Sequence, residues 1–317
     1  MSSARDGDGV AVRLVHEALY YSDLDEFLAG TLAFISEGLS AGEPLLVAVA
    51  EPRLTALRAS VTVPGPVFVD MAEEGRNPNR IIPWVLRAFT NKHAGRVRIV
   101  GEPVFVGRPP NEVAPCVLHE ALINVAFAEQ DMCILCPYDV RQLAHVVPYA
   151  ERTHPMVRDT RGRRPSTSYT DPYTVVALLN QPLPERRRVD QMVSFDVQGL
   201  AGLRRRVGTY ADQAGIAADR VADLLLAVTE IATNAVVHAG QVATLRIWRE
   251  SDRVICEIRG AGEISDIMAG RVVPAPESPR GRGLLIANRL CDLVQTHTAP
   301  SGTTTRLHMR LSTTRPA

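Results

Sequence analysis

Glu230 and Asn234 stand four residues apart in the stretch from Asp223 to Gly240, DLLLAVTEIATNAVVHAG. Its apolar residues recur at helical spacing, and Gly240 stands where a helix C-cap belongs. At about 100° per residue, Val221, Leu224, Val228, Ile231, Ala232 and Ala235 share one face, and Asp223, Glu230 and Asn234 share the other. A carboxylate and an amide projecting side by side from a helix with a buried back suit a particular chemistry. The amide oxygen holds a hard cation such as Mg²⁺, while the carboxylate takes a proton or orients a water. The same spacing also describes a polar pair on a solvated face.

The first half of the chain offers its own candidates. His16 is a residue that can titrate or bind a metal near neutrality, or simply be hydrogen-bonded where a first strand meets a first helix. Four short apolar runs, Pro44–Ala50, Pro66–Asp70, Val97–Val100 and Met132–Cys136, read as strands buried on both faces. They end in polar residues: Glu51, Asp70, Gly101-Glu102 and Tyr138-Asp139. Strand ends of a parallel sheet carry the ligand crevice, so His16, Glu102, Tyr138 and Asp139 are the candidate sensing residues for an unidentified small ligand. Cys133 and Cys136 form a CxxC, yet no second CxxC or His pair completes a zinc site. All five cysteines read as core residues rather than a disulfide framework.

The elements that must position these residues fall into two groups. Amphipathic stretches at Asp23–Leu39, Pro52–Ser60, Pro78–Lys92 and Asn111–Ala128 alternate with the four strands, which predicts a parallel α/β sheet with helices on both sides. After them the pattern dissolves into RGRRPSTS and QPLPERRR, read as a Pro/Arg-rich linker. Beyond it the order is strand, helix, helix, strand, strand, helix, strand, strand, which predicts a mixed sheet with helices on one face. The expected layout is a disordered tail at 1–11, a first domain at 12–157, a linker at 158–189 and a second domain at 190–317.

Composition narrows the function classes. Lys plus Arg and Asp plus Glu each number 35, so no whole-chain field draws the protein to nucleic acid or membrane. No run approaches the roughly 18 apolar residues of a membrane span, and the polar start MSSARDGDG is no signal peptide; the expected compartment is the cytoplasm. The linker arginines lack the aromatic or helix-turn-helix context of a nucleic-acid site.

Three ordered motifs in the second half resemble the GHKL ATP-binding fold of gyrase, sensor histidine kinases and anti-sigma serine kinases. They are Glu230 to Ala239, like the N box; Gly281 to Asp292, a Gly-rich turn opening a helix; and Gly302-Thr303-Thr304-Thr305 before a strand. The resemblance implies ATP and Mg²⁺ as cofactors. Glu230 would be the base for an acceptor serine, Asn234 the Mg²⁺ ligand, and Gly262, Arg282, Gly283 and Thr304 would line the nucleotide. His16-Glu17-Ala18-Leu19-Tyr20-Tyr21, Gly101-Glu102-Pro103, Glu120 to Asn124 and Cys136-Pro137-Tyr138-Asp139 resemble the MEDS sensory domain, a degenerate relative of RecA/KaiC ATPases. The turn Gly38 to Glu43 lacks the Lys and Ser/Thr of a working P-loop, so no ATPase is expected there. His16-Glu17 and His119-Glu120 pair a histidine with a glutamate as phosphoacceptor helices do, but neither lies in a long two-helix hairpin ahead of the second domain.

Together the resemblances imply a two-domain anti-sigma regulator. Its expected partners are a sigma factor and an anti-anti-sigma protein, with serine-kinase activity and service as a homodimerisation domain as alternatives. One position departs from the pattern: Gly260 stands where the GHKL fold has the Asp that accepts the adenine amino group. Losing such a charge-assisted hydrogen bond costs about 1.5–3 kcal/mol, roughly 10- to 150-fold in affinity. Glu263 and Asp266 follow, but not at the expected spacing.

Overall fold

The computed structural model describes residues 13–237, 242–275 and 281–312. The expected tail at 1–11, His238 to Gly240 and Arg280 lie outside these residues. The chain divides into two compact units, Met1–Leu179 and Asn180–Ala317.

The first unit runs β1 (Leu14–Tyr21), α1 (Leu24–Ser40), β2 (Leu45–Val49), α2 (Arg53–Ser60), β3 (Val67–Asp70) and α3 (Met71–Glu74). A 3-10 turn, Pro78–Arg80, and a π-helical turn, Ile81–Leu86, lead into α4 (Arg87–Thr90). Then come β4 (Val97–Gly101), α5 (Pro110–Ala126), β5 (Met132–Asp139), α6 (Val147–Thr153), β6 (Met156–Asp159), β7 (Gly162–Pro165) and α7 (Pro172–Leu179). The strands form one sheet in the order β3-β2-β4-β5-β1-β6-β7. Every pairing is parallel except the β6–β7 hairpin. β2, β4 and β5 are buried at every residue, as continuous apolar strands between two helical layers must be. Helix α1 starts where Asp23 accepts from Glu26 N at 2.9 Å and Glu26 accepts in return from Ser22 N at 2.7 Å, a reciprocal cap that satisfies two donors.

The expected linker is largely ordered structure. Its first part supplies β6, β7 and α7, with Arg158 and Arg163 reaching the buried carboxylate of Glu17 at 3.3 and 2.5 Å. Residues read as a Pro/Arg-rich linker are ordered here because their guanidinium groups find an acidic partner far away in sequence. Its last part is fastened to the second unit. Asn180 exchanges two hydrogen bonds with the backbone of Thr298, at 2.8 and 3.1 Å, and Pro184 O accepts from Arg306 at 2.6 Å.

The second unit runs β8 (Gln191–Phe195), α8 (Leu200–Ala214), α9 (Ala218–Val237), β9 (Ala243–Arg249), β10 (Arg253–Gly260), α10 (Arg282–Leu290), β11 (Leu293–Ala299) and β12 (Gly302–Arg310). The five strands are antiparallel in the order β11-β12-β10-β9-β8. One sheet face packs with α8, α9 and α10 into a single core that includes Leu203, Leu224, Val228, Leu245, Cys256, Ala287 and Leu307. Helix α8 ends at Gly215, whose φ of 89° is the left-handed stop that glycine provides. On the outer face the carboxylate of Glu257 is fully buried among Arg246, Arg259 and Arg306, at 2.8, 2.8 and 2.6 Å. The expected fold class, a parallel α/β sheet followed by a smaller helix-on-sheet α/β unit, forms with one correction: the second sheet, expected to be mixed, is antiparallel at every described pairing, with short turns joining β9 to β10 and β11 to β12 as hairpins. Among the described residues, no helix is long and apolar enough to cross a membrane.

Candidate functional site

Helix α9 turns its apolar face to the sheet, burying Val221, Leu224, Val228, Ile231 and Ala232 as their spacing predicts. Glu230 and Asn234 on its flank meet the start of α10. A β-carbon placed on Gly283 would lie 2.5 Å from Asn234 Nδ2 and 3.2 Å from Glu230 Oε2, so any larger residue here must displace the ends of those two side chains. Gly281, with φ of 90°, is the N-cap of α10 and supplies no side-chain cap. A helix start of this kind presents backbone N–H groups to an anion.

Beside this contact lies a cavity of ≈ 520 Å³, walled by Ile231, Ala235, Ile258, Leu284 and Met268 and reached by Asn234. Its outer wall is the segment after β10, tied down at several points. Thr303 Oγ1 donates to Gly262 O at 2.6 Å, Ile264 N donates to Thr298 Oγ1 at 2.9 Å, and Asn288 Nδ2 donates to Gly270 O at 2.9 Å.

Of the residues singled out from the sequence, Asn234, Gly262 and Gly283 line the cavity, and Glu230 stands at its edge against Gly283. Arg282 is an exposed first-turn residue of α10 outside the lining. Thr304 is corrected by the phase of β12. Thr303 and Thr305 reach the cavity, while Thr304 shares the outer face with Arg306 and His308, because successive strand residues point to opposite sides. Glu263 and Asp266 do line the cavity, from its exposed lip. Gly260 lies on the floor, pressed against α9 at Ala235.

ATP fits this site unevenly. At one end, Asn234, Glu230 and the bare start of α10 make a cradle that a β-carbon on residue 283 would fill. At the other end the walls are apolar and suited to a base ring, but its carboxylates sit on the rim rather than on the floor.

In the first unit the four sensing candidates separate into two buried groups. Glu102 and Asp139, at the ends of β4 and β5, flank Arg53, whose guanidinium lies 3.5 and 3.2 Å from their carboxylates. That guanidinium also stacks 5.1 Å from the Tyr21 ring. Burial pushes the Glu102 carboxyl up to about 7 against the pull of Arg53. The expected open crevice is here a buried ion-pair network. His16 and Tyr138 instead converge on Glu120 of α5, at 3.2 and 3.0 Å. Burial, reinforced by neighbouring His154, lowers the His16 pKa. Sequence reasoning missed Arg53, Glu120, Cys136 and His154 as members of these groups. The signal for Glu120 was its i, i+4 spacing with Asn124 on α5, the spacing that drew attention to Glu230 and Asn234.

Comparison with known proteins follows the same division. Residues 15–155 match the MEDS family, the methanogen/methylotroph, DcmR sensory domain. Residues 193–309 match the histidine kinase-like ATPase domain family. No curated protein matches the chain. Among solved structures, it is similar to the crystal structure of the RsbU and RsbW domains of Rv1364c from Mycobacterium tuberculosis, at 20% identity and a TM-score of 0.29. That likeness covers 42% of this chain and 35% of the other, so the chain spans little more than a third of that neighbour. The chain carries an N-terminal MEDS sensory domain followed by a histidine kinase-like ATPase domain.

Proposed function

We propose that the protein is an anti-sigma regulator. Its ATPase-fold unit holds a sigma factor, an anti-anti-sigma protein competes for that unit, and the ligand state of the MEDS unit biases the choice. The observation that carries this reading is the meeting of Glu230, Asn234 and Gly283 beside an apolar-walled cavity, joined in one chain to a sensory domain. In such a site Asn234 holds Mg²⁺ through its amide oxygen, and the N–H groups of the first turn of α10 receive phosphate oxygens. Bound ATP supplies a transferable phosphoryl group and the charge that the helix start complements. Any bias by the sensory unit requires that its ligand bind two states of the protein with different affinity.

Two measurements test this. Mg-ATP titrated calorimetrically into the full chain is expected to bind, and Asn234→Ala to weaken binding at least tenfold. Purified sigma factors passed over the immobilised chain are expected to include one that is retained; retention of none sinks the reading.

An active serine kinase is the second reading, favoured by the Glu230 carboxylate beside the start of α10. It requires phosphate transfer from ATP to an anti-anti-sigma protein, and loss of that transfer in Glu230→Gln.

A further inference from the structure

Four side chains from separate parts of the first unit meet in its interior. They are His16 on β1, Glu120 on α5, Cys136 on β5 and His154 immediately after α6. All are buried, and one potential ligand atom from each lies within 4.8 Å of the others. His16 Nε2 is 3.2 Å from Glu120 Oε2, and His154 Nε2 is 3.5 Å from the same oxygen. Cys136 Sγ is 3.5 Å from both His16 Nε2 and Glu120 Oε2.

The surrounding hydrogen bonds fix the protons. Asn124 Nδ2 donates to the carbonyls of Thr153, Glu120 and Ala121 at 2.8, 3.3 and 3.4 Å. Its Oδ1 is therefore the acceptor 3.1 Å from His16 Nδ1, which must carry the hydrogen. His154 Nδ1 lies 2.8 Å from Ala150 O, which can only accept. Each neutral ring thus turns an unprotonated Nε2 inward, and His154 Nε2 has no hydrogen-bond partner although it is fully buried. Tyr138 donates to Glu120 Oε1 at 3.0 Å and leaves Oε2 aimed into the cluster. The thiol of Cys136 brings the one remaining proton. With only that thiol proton, directed at Glu120 Oε2, two imidazole lone pairs and a carboxylate oxygen face one another out of water, an arrangement that a cation between them relieves. Without a metal, one protonated ring makes a buried ion pair with Glu120, and protonating both buries two cations on a single carboxylate, at a large desolvation cost.

We propose that His16 Nε2, His154 Nε2, Cys136 Sγ and Glu120 Oε2 form a four-coordinate divalent transition-metal site, with Zn²⁺ as its occupant. Metal bonds of about 2.0–2.3 Å in a tetrahedron place ligand atoms roughly 3.3–3.7 Å apart; four of the six separations fall at or near that range, and the two between His154 Nε2 and the atoms of His16 and Cys136 lie within 4.8 Å. Thiolate and imidazole donors select such a metal over Ca²⁺ or Mg²⁺. Asn124, the Ala150 carbonyl and Tyr138 already make the outer hydrogen bonds that orient ligands around a metal. On binding, the Cys136 S–H bond is replaced by a metal–sulfur bond and the proton leaves to solvent. With all four positions filled by protein, the site is structural or metal-sensing rather than hydrolytic. It joins the two central strands β1 and β5 to α5 and to the end of α6, so its occupancy bears on the core of the sensory unit.

The test uses the full chain. Elemental analysis of protein purified without chelator is expected to give about one zinc per chain. Exchange into Co²⁺ is expected to give a thiolate-to-cobalt charge-transfer band together with tetrahedral visible bands. Cys136→Ser should lose the charge-transfer band, and His154→Ala should weaken Co²⁺ binding by 10- to 100-fold. Cys133→Ser should change neither, since Cys133 lies on the opposite face of β5 beside Arg96. The wild-type Co²⁺ spectrum decides without any variant: a folded chain that takes up no Zn²⁺ and shows no thiolate band overturns the proposal. So does metal uptake that Cys136→Ser and His154→Ala leave unchanged.

Discussion

Gly260 and Ala235 are packed so closely that a β-carbon on Gly260 would lie 2.8 Å from that of Ala235 and 3.1 Å from its α-carbon. The end of β10 therefore presses directly on α9, and the glycine has a packing reason to be there. Restoring the carboxylate that the GHKL pattern leads one to expect is not a neutral change. Gly260→Asp is expected to lower stability by about 1–3 kcal/mol and to leave Mg-ATP affinity no better than wild type. Thermal unfolding and calorimetry read the two effects, and tighter ATP binding by a fully stable variant contradicts them.

Gly283 tests the phosphate end. Replacing a helical glycine by alanine ordinarily stabilises by roughly 0.5–1 kcal/mol, and Gly208→Ala in the middle of α8, where an added methyl meets only the Leu225 side chain at ordinary contact distance, should do so. Gly283→Ala should instead drive a methyl against Asn234 and Glu230 and weaken Mg-ATP binding more than tenfold. Equal behaviour of the two variants would show that Asn234 has no part in the site.

Glu102 gives a pH signature. Its folded pKa is raised to about 7 from an ordinary 4.5. Below about pH 4.5 the carboxyl is protonated in both folded and unfolded chains. Between about 4.5 and 7 the unfolded chain releases a proton that the folded chain keeps, so stability falls across that window and levels off above it. The loss is about 3 kcal/mol for a buried group facing Arg53, Asp139 and Tyr21. Urea unfolding at several pH values should show this slope in wild type and a flatter one in Glu102→Gln, whose amide still accepts from Ala50 N. Parallel curves would rule the assignment out.

Glu257 holds the outer face of the second sheet together. Burial opposes its charge, but the guanidinium groups of Arg306, Arg246 and Arg259 hold its carboxyl below the ordinary range. Its stabilising effect is therefore present above about pH 4.5 and is lost on acidification. Glu257→Ala leaves buried arginines facing one another, at an expected cost of about 3–5 kcal/mol. Because Arg246 and Arg306 also hold the backbone of Arg186 and Pro184, tryptic cleavage at Arg186 to Arg188 should accelerate. Unchanged cleavage would mean the segment is held by other contacts.

The legible part of this protein is the part written in local periodicity. Val221 to Ala232 show their buried face directly, and the motif order brings Asn234 to Gly283 across a gap that periodicity alone does not bridge. The phase of Gly302-Thr303-Thr304-Thr305 was not legible, because three identical residues give no alternation to read, and the choice of Thr304 fell on the wrong face. Arg158 and Arg163 read as linker residues because their partner, Glu17, is far away in sequence. His16 stands out in the sequence, but Glu120, Cys136 and His154 each pass singly for ordinary core residues; their grouping with His16 exists only once β1 and β5 pair in register.

That pairing sets the order in which the first unit can fold. Among the described strands of this unit β1 is made first, yet its neighbours in the sheet are β5 and β6, with Leu14 opposite Met132 and Glu17 opposite Met156. The opening strand must wait, apolar and unpaired, until more than a hundred further residues have been made. Such long-range closure slows folding and exposes a nascent edge to wrong partners. A nascent chain halted before Asp139 cannot complete the pairing that β1 needs.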